Sequence, residues 1–251
     1  MPYTYYAVKI NIYGQAHKPE GFLFPSIKDY WRIVVGAGVT QALQKLFMYF
    51  LVPVFELVAK VKDDPESRRR YAHKAARTAW GVVYFTTSAT WGYMVLRDTN
   101  WLPWWMGGPP DGSINNLFVD PPFDPCPPRV LEYALYTAGY HFGALAQNLF
   151  GERRHDFEEM CLHHIATCAL YFGFVLGNLM GVGASIAFLH DLADIFVSAV
   201  KVSSSTHFDK ITLVIFTSLM ITWFVTRLNW LPYYIWLLST NAFYPPDLYH
   251  F

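Results

Sequence analysis

The chain has 251 residues, of which 53% are hydrophobic and only 15% carry a charge, against about 25% in soluble proteins. Its 19 basic and 19 acidic residues give a formal net charge of zero, and this balance argues against nucleic acid as a partner. Aromatic residues reach 18%, and they favour the places where membrane helices meet water. The composition therefore indicates an integral membrane protein.

The hydrophobic runs predict an all-α polytopic membrane protein with about six transmembrane helices. Residues 1–29 are rich in aromatic and turn-forming residues, and we expect them to lie at the membrane interface or against a partner. Residues 30–251 form the predicted transmembrane domain. Its spans are expected at residues 30–58, 76–96, 129–150, 158–178, 182–202 and 211–239.

Local signals predict where helices begin and where they break. Asp63 or Asp64 is expected to cap a helix that starts at Pro65, because proline suits the first helical position. Arg227 and Pro232 fall inside the last span and predict a break or kink in it.

Two further segments have a distinctive composition. The second span contains many small and hydroxylated residues, among them Gly81 and Ser88, which suit close helix packing in lipid. Residues 98–128 contain eight prolines, which exclude a regular span. This range is therefore predicted to be an interfacial loop anchored by Trp101, Trp104 and Trp105.

Five ionisable residues fall within the fourth and fifth predicted spans. They are His163, His164, His190, Asp191 and Asp194. Such groups cost roughly 2.5 kcal/mol or more each at the centre of a membrane helix, so their presence points to a use. Residues three or four apart share a helix face, and this spacing places Asp156, Glu159 and His163 on one stripe.

The types of side chain indicate acid–base or acyl-transfer chemistry. A carboxylate beside an imidazole fixes its tautomer and stabilises the imidazolium. The imidazole can then take a proton from an amine or hydroxyl, or attack an activated acyl group. The alternative is that the paired groups are purely structural and satisfy one another.

A metal centre is the competing interpretation. The available ligands would be His141, His163, His164, His190 and Asp194. Membrane di-iron oxygenases resemble one another in carrying about eight histidines in HxxxH and HxxHH clusters, whereas this chain has a single HH pair. We therefore expect no metal ion and no bound cofactor.

A basic run precedes the second span. Its members are Arg68, Arg69, Arg70 and Lys74. The simpler interpretation is a solvated face that helps to set the membrane topology. The functional interpretation is a docking site for a nucleotide-bearing acyl carrier.

Residues 153–201 match a known sequence pattern. The stretch RRHDFEEMCLHHIATCAL, followed by FLHDLADIFVSAVK, resembles the Lag motif of ceramide synthases, the acyltransferase branch of the TLC-domain family. Asn178 falls in register with that motif, and the TRL sequence around Arg227 and the pair Lys74 and Trp80 add to the similarity. The resemblance covers roughly residues 70–240.

The resemblance implies an enzyme of the endoplasmic reticulum that moves a fatty acyl group from acyl-CoA, its co-substrate, to the amine of a sphingoid (long-chain) base. It implies His163 or His164 as nucleophile or general base. Asp191 and Asp194 would orient these imidazoles, with His190 alongside. The substrate-binding residues that we assign on the same basis, together with the basic run, are Asp156, Glu159, Asn178 and Arg227.

Departures from the family pattern motivate a second hypothesis. Gly181 stands where the family has arginine, Ser198 where it has glutamate, and the chain stops at Phe251, where the family has another helix. The protein would then be a catalytically silent, lipid-binding structural subunit of a larger membrane complex, for example in the mitochondrial inner membrane. On either hypothesis the expected partners are membrane lipids and further protein chains, as a homo-oligomer or a membrane complex.

Overall fold

The computed structural model describes residues 2–18, 20, 25, 27–58, 64–119, 123–151, 157–204 and 209–241, and in these ranges all regular structure is helical. The α-helices are α1 (Pro2–His17), α2 (Trp31–Val58), α3 (Pro65–Leu96), α4 (Pro128–Phe150), α5 (Phe157–Leu176), α6 (Met180–Ser203), α7 (Asp209–Trp223) and α8 (Leu231–Asn241). Short 3₁₀ helices lie at Ile27–Tyr30, Trp104–Met106 and Ile114–Leu117, and a π-helix at Phe224–Trp230 joins α7 to α8. The predicted all-α class is confirmed.

The predicted spans coincide with long helices. Within the described residues, four helical stretches are long and apolar enough to cross a membrane, namely Lys28–Val58, Phe157–Leu176, Met180–Ser203 and Asp209–Thr240. They correspond to the predicted first, fourth, fifth and sixth spans. The predicted second and third spans fall on α3 and α4, which are 32 and 23 residues long but less apolar. The chain is a polytopic all-α membrane protein.

The chain folds as two compact units. The first comprises Met1–Thr40, Gly92–Ala187 and Tyr233–Phe251, and the second comprises Gln41–Trp91 and Phe188–Pro232.

In the first unit, α5 packs against both α4 and α1. The backbones of α4 and α2 are in direct contact at Gly139. A Cβ at this position would lie 2.6 Å from the carbonyl oxygen of Ile33, so only glycine permits this close packing. The phenol of Tyr30 donates a hydrogen bond of 2.9 Å to the carbonyl of Phe172, and the two rings stack. These contacts fix α5, which carries the histidine pair, against its neighbours.

A tight turn joins α5 to α6 in the same unit. Asn178 has a φ of 52°, in the left-handed region that asparagine tolerates better than most residues. Its side-chain amide donates to the carbonyl of Asp124 at 3.0 Å, and the N–H of Leu179 donates to the carbonyl of Phe174 at 2.8 Å. The turn thereby holds the end of α5 and the start of α6 at a fixed spacing.

The loop between α3 and α4 is irregular in its described part, as predicted. Its two 3₁₀ helices are short, and Trp101 is buried against Gly181. Trp104 and Trp105 are exposed by 69% and 48%, so only these two can anchor the loop at an interface.

In the second unit, α3 begins at Pro65 with Asp64 as its cap. The Asp64 carboxylate accepts hydrogen bonds from the backbone N–H groups of Ser67 at 2.9 Å and Glu66 at 3.2 Å. Hydrogen bonds from Ser67 lower the pKa of Asp64 most strongly. The prediction for Asp64 is confirmed, and its alternative, Asp63, lies outside the described residues.

The last helical stretch changes from α-type to π-type hydrogen bonding next to the residues that predict a break or kink. The N–H of Leu231 donates to the carbonyl of Thr226, a π-type bond that spans five residues. Pro232 follows directly and has no N–H to donate, so the wider turn before it avoids a clash with the preceding carbonyls. The π-helix therefore sits where the sequence indicates a break.

Candidate functional site

The inward face of α5 is a stripe of residues spaced by three or four. Its members are Cys161, His164, Cys168 and Tyr171, and all four are buried. His163 and Glu159, which share the stripe predicted to carry the site, are exposed. Asp156, the third member of that predicted stripe, lies outside the described residues.

A third imidazole from α4 joins the pair on α5. We call His141, His163 and His164 the histidine cluster. Nδ1 of His141 lies 3.5 Å from Nδ1 of His164, and their ring centroids are 5.6 Å apart. The ring of His163 lies 5.2 Å from that of His164 and 6.3 Å from that of His141. One side-chain nitrogen of each residue lies within 4.8 Å of the other two.

Two hydroxyl groups lie beside the histidine cluster. The ring of Tyr171 is 5.9 Å from that of His141, and its phenol oxygen is 3.2 Å from the hydroxyl of Thr137. The Thr137 hydroxyl in turn contacts the carbonyl of Tyr133 at 2.9 Å, one turn earlier in α4. These buried polar contacts link Tyr171, which lies beside the histidine cluster, to the backbone of α4.

The histidine cluster can move protons. A neutral imidazole has one nitrogen that donates and one that accepts, so the two Nδ1 atoms can share a proton when the tautomers differ. A partner that fixes the tautomer makes an imidazole a better-defined base. His141 can act as such a partner for His164.

The sequence indicates His141 only as a possible metal ligand and not as a member of a catalytic group. The pairing joins residues 23 apart on different helices, so local spacing does not reveal it. The signal that points to it is the periodicity of α4, because buried Ala134, Thr137 and Ala138 share a helix face with His141.

The two aspartates of the predicted catalytic group, Asp191 and Asp194, lie in the second unit. Buried Asp191 accepts a hydrogen bond of 2.6 Å from the hydroxyl of Ser88 on α3. Asp194 forms an ion pair of 2.9 Å with Arg227, which also donates a longer bond of 3.4 Å to the carbonyl of His190. The guanidinium of Arg227 lies 4.9 Å from the centre of the Trp223 ring.

The predicted site is thus distributed over both units. His163 and His164 belong to the first, and His190, Asp191 and Asp194 belong to the second. That the two groups face each other stays a prediction.

Two of the predicted substrate-binding residues have structural contacts. Asn178 shapes the turn between α5 and α6, and Arg227 pairs with Asp194. These contacts give each of the two side chains a structural role in the fold. Substrate binding by Asn178, Arg227 or Glu159 stays a prediction.

The basic run lies on the first turns of α3. Arg69, Arg70 and Lys74 are exposed, whereas Arg68 is half-buried. Arg70 forms an exposed ion pair with Glu66. The run offers positive charge to an anionic ligand, mainly through Arg69 and Lys74.

Comparison with known proteins supports the resemblance. Residues 74–249 match the TLC domain. Ceramide synthase hyl-2 of Caenorhabditis elegans is 26% identical over 249 residues, which cover 95% of this chain and 71% of that protein. ASC1-like protein 1 of Oryza sativa subsp. japonica is 24% identical over 234 residues, covering 88% of this chain and 71% of the rice protein. Human ceramide synthase 5 is 23% identical over 170 residues, covering 68% of this chain and 41% of the human protein.

Proposed function

The chain belongs to the TLC-domain family, and on that premise we propose that it transfers a fatty acyl group from acyl-CoA to the amine of a long-chain base. The observation that carries the proposal is the contact between His141 and His164, next to His163. Relatives that cover most of this chain are named ceramide synthases, which supports the same reaction class.

In the proposed step, the amine nitrogen attacks the thioester carbonyl, an amide bond forms and the carbon–sulfur bond to CoA breaks. The imidazole of His164 takes the proton from the amine and passes it to the departing thiolate. His141 holds the tautomer of His164, and His163 is the second candidate for the base. The orienting roles predicted for His190, Asp191 and Asp194 remain part of this proposal.

The basic run is proposed to hold the phosphates of acyl-CoA. Each exposed cation contributes about 0.2–1 kcal/mol to such a contact, because solvent screens it. Arg69→Ala should therefore raise the KM for acyl-CoA by up to about fivefold and leave kcat unchanged. A fall in kcat at constant KM would contradict a docking role.

The decisive assay follows amide formation from acyl-CoA and a long-chain base by mass spectrometry, with the purified protein in detergent. His164→Ala should lower the rate by roughly 10²-fold to 10⁴-fold, the range typical of a lost acid–base group. His163→Ala tests the second candidate. His17→Ala is the matched control, because His17 is exposed at the end of α1 and contacts the carbonyl of Tyr13, one turn earlier in its own helix.

Two results would overturn the proposal. One is an unchanged rate in both His163→Ala and His164→Ala. The other is the absence of turnover in the unmodified protein across acyl chains and bases of varied length.

The second candidate is a silent, lipid-binding subunit of a larger membrane complex. The contacts Ser88–Asp191 and Asp194–Arg227 favour this candidate. Both aspartates already have polar partners inside the protein, so their presence in the membrane helices does not require a catalytic role. Such a subunit should co-purify with other chains and retain lipid in native mass spectrometry. A protein that turns over and associates only with itself would contradict this candidate.

The two candidates also differ in the expected membrane. The acyltransferase is proposed to reside in the endoplasmic reticulum, and the structural subunit in an assembly such as one of the mitochondrial inner membrane. Fractionation of cells that express the tagged protein separates these two locations.

A further inference from the structure

The histidine cluster has the composition of a transition-metal site. It contains three imidazoles and, among the described residues grouped with them, no carboxylate or thiolate. Imidazole ligands suit zinc, copper and related ions, whereas magnesium and calcium prefer oxygen. The chemistry of the cluster therefore selects one class of ion.

The spacing also fits. A zinc ion bonds imidazole nitrogen at about 2.0–2.1 Å, so two nitrogens on one tetrahedral ion lie roughly 3.4 Å apart. Nδ1 of His141 and Nδ1 of His164 are 3.5 Å apart. The distance between these two atoms therefore matches that between two ligands of one ion.

His163 supplies the third ligand. One ligating nitrogen of each of the three residues lies within 4.8 Å of the other two. The ring of His163 is exposed on α5, which gives its side chain room to adjust its rotamer toward an ion. Three protein ligands would leave a fourth position open to water or to an anionic ligand.

In place of the sequence-based expectation of no metal ion, we infer that His141, His163 and His164 bind one divalent transition-metal ion of the zinc type. An ion on Nδ1 of neutral His164 leaves the ring proton on Nε2, so this imidazole has no lone pair left with which to act as a base. The ion therefore inhibits acyl transfer, and this consequence rests on the proposed function while metal binding does not. Binding and release of the ion thus switch the acyl-transfer activity of the histidine cluster off and on.

The test uses the full chain in detergent, stripped with a chelator and then titrated with Zn²⁺ alone by calorimetry. We expect one ion per chain, no competition from Mg²⁺, and weaker binding as pH falls, because imidazole must be neutral to bind metal. His141→Ala and His164→Ala should each weaken binding at least about tenfold, whereas His17→Ala and His73→Ala should not. His73 is the second control, being exposed on α3.

X-ray absorption of the unmodified protein keeps the test independent of whether the variants fold. A shell of nitrogen and oxygen neighbours at about 2.0–2.1 Å with imidazole scattering is expected. The inference is overturned by the absence of saturable binding, by a sulfur shell, or by equal Zn²⁺ affinity in His164→Ala and the unmodified chain.

An activity assay with added Zn²⁺ separates this inference from the proposed function. Zn²⁺ binding by a chain that forms no amide even when it is metal-free would support the metal site and contradict the acyltransferase. Amide formation that depends on His164, in a chain without saturable Zn²⁺ binding, would support the acyltransferase and overturn the metal site. Zn²⁺ binding with an undiminished rate would overturn the inhibitory role.

Discussion

The hydroxyl of Ser88 donates a hydrogen bond of 2.6 Å to Oδ2 of Asp191, although the two residues are 103 positions apart in the chain. Both side chains are buried, and the contact links α3 to α6 inside the second unit. In a membrane protein the cost of burying a polar group falls when a neighbouring helix satisfies it. The hydrogen bond from Ser88 therefore lowers the free-energy cost of burying the Asp191 side chain.

We predict that Ser88→Ala destabilises the protein by about 0.5–2 kcal/mol, because the buried carboxylate loses a donor while polar contacts in membranes are moderate in strength. Thr87→Ala should be nearly neutral. Thr87 neighbours Ser88 on α3, but its hydroxyl is exposed and donates to the carbonyl of Val83 in its own helix. The free energy of unfolding of each variant is measured by denaturant titration in detergent. Equal losses of stability in the two variants would mean that helix propensity, and not the hydrogen bond to Asp191, causes the effect.

A second prediction concerns the ion pair between Asp194 and Arg227, whose side chains are exposed by only 26% and 14%. Arg227→Ala leaves the partly buried carboxylate without this partner and should cost about 2 kcal/mol, less than a fully buried pair because some solvent screening remains. Asp194→Asn in the same chain should recover part of the loss. A double-mutant cycle measures the coupling, and additive effects would show that the pair is not coupled.

The matched control for this cycle is the pair of Arg70 and Glu66, whose side chains are 74% exposed. It joins the same kinds of charge four residues apart on a helix surface. Arg70→Ala should therefore change the stability by about 0.5 kcal/mol or less.

A third prediction explains one departure from the family pattern. A Cβ on Gly81 would lie 2.7 Å from the hydroxyl oxygen of Ser198, so α3 and α6 can meet here only with small residues. Gly81→Ala should destabilise by about 1–3 kcal/mol, the usual range for overpacking. Adding Ser198→Ala should restore much of the stability, because it removes the oxygen that clashes.

Gly38 provides the control for that substitution, since a Cβ there would meet nothing within 4 Å. Gly38→Ala on α2 should be neutral or stabilising, as alanine is the better helix former. A restored stability in the double variant, measured beside this control, would show that packing explains serine at position 198. Failure to recover would contradict this explanation of Ser198.

Packing also explains the glycine at position 181. A Cβ there would lie 2.7 Å from a methyl carbon of Leu117 and 3.0 Å from the ring of Trp101, so the loop between α3 and α4 fills the space that a larger side chain would take. Sequence reasoning identified Gly181 and Ser198 as departures but could not explain them. Their explanation depends on contacts between segments that are distant in the chain.

The long apolar helices were predictable because twenty or so apolar residues in a row have few other stable arrangements. The helix α1 was not predicted, since Tyr, Val, Ile and Thr within Pro2–His17 favour strands and the sequence shows no apolar stripe. Packing of α1 against α5 outweighs these local preferences. The role of His141 was not predicted either, because its partner His164 lies on another helix and sequence spacing does not show contacts between helices.

The last prediction concerns Cys126, which lies before α4 outside the spans and lines a small cavity with Trp101 and Asn178. Burial raises the pKa of the Cys126 thiol to about 12, despite a weaker opposing contribution from a backbone hydrogen bond with Leu131. Only the thiolate reacts with maleimide, so at pH 8 this thiol should react roughly a thousandfold more slowly than an ordinary one.

The measurement uses a chain in which Cys161→Ala and Cys168→Ala leave Cys126 as the single thiol. Its labelling rate should rise about tenfold for each unit between pH 8 and 10, because the thiolate fraction grows in that proportion below the pKa. D111C in a chain lacking Cys126 supplies an exposed reference in the same loop, and its rate should level off above about pH 9. If Cys126 reacts like that reference at pH 8, the thiol is not shielded, and the loop does not pack against the turn at Asn178 as described.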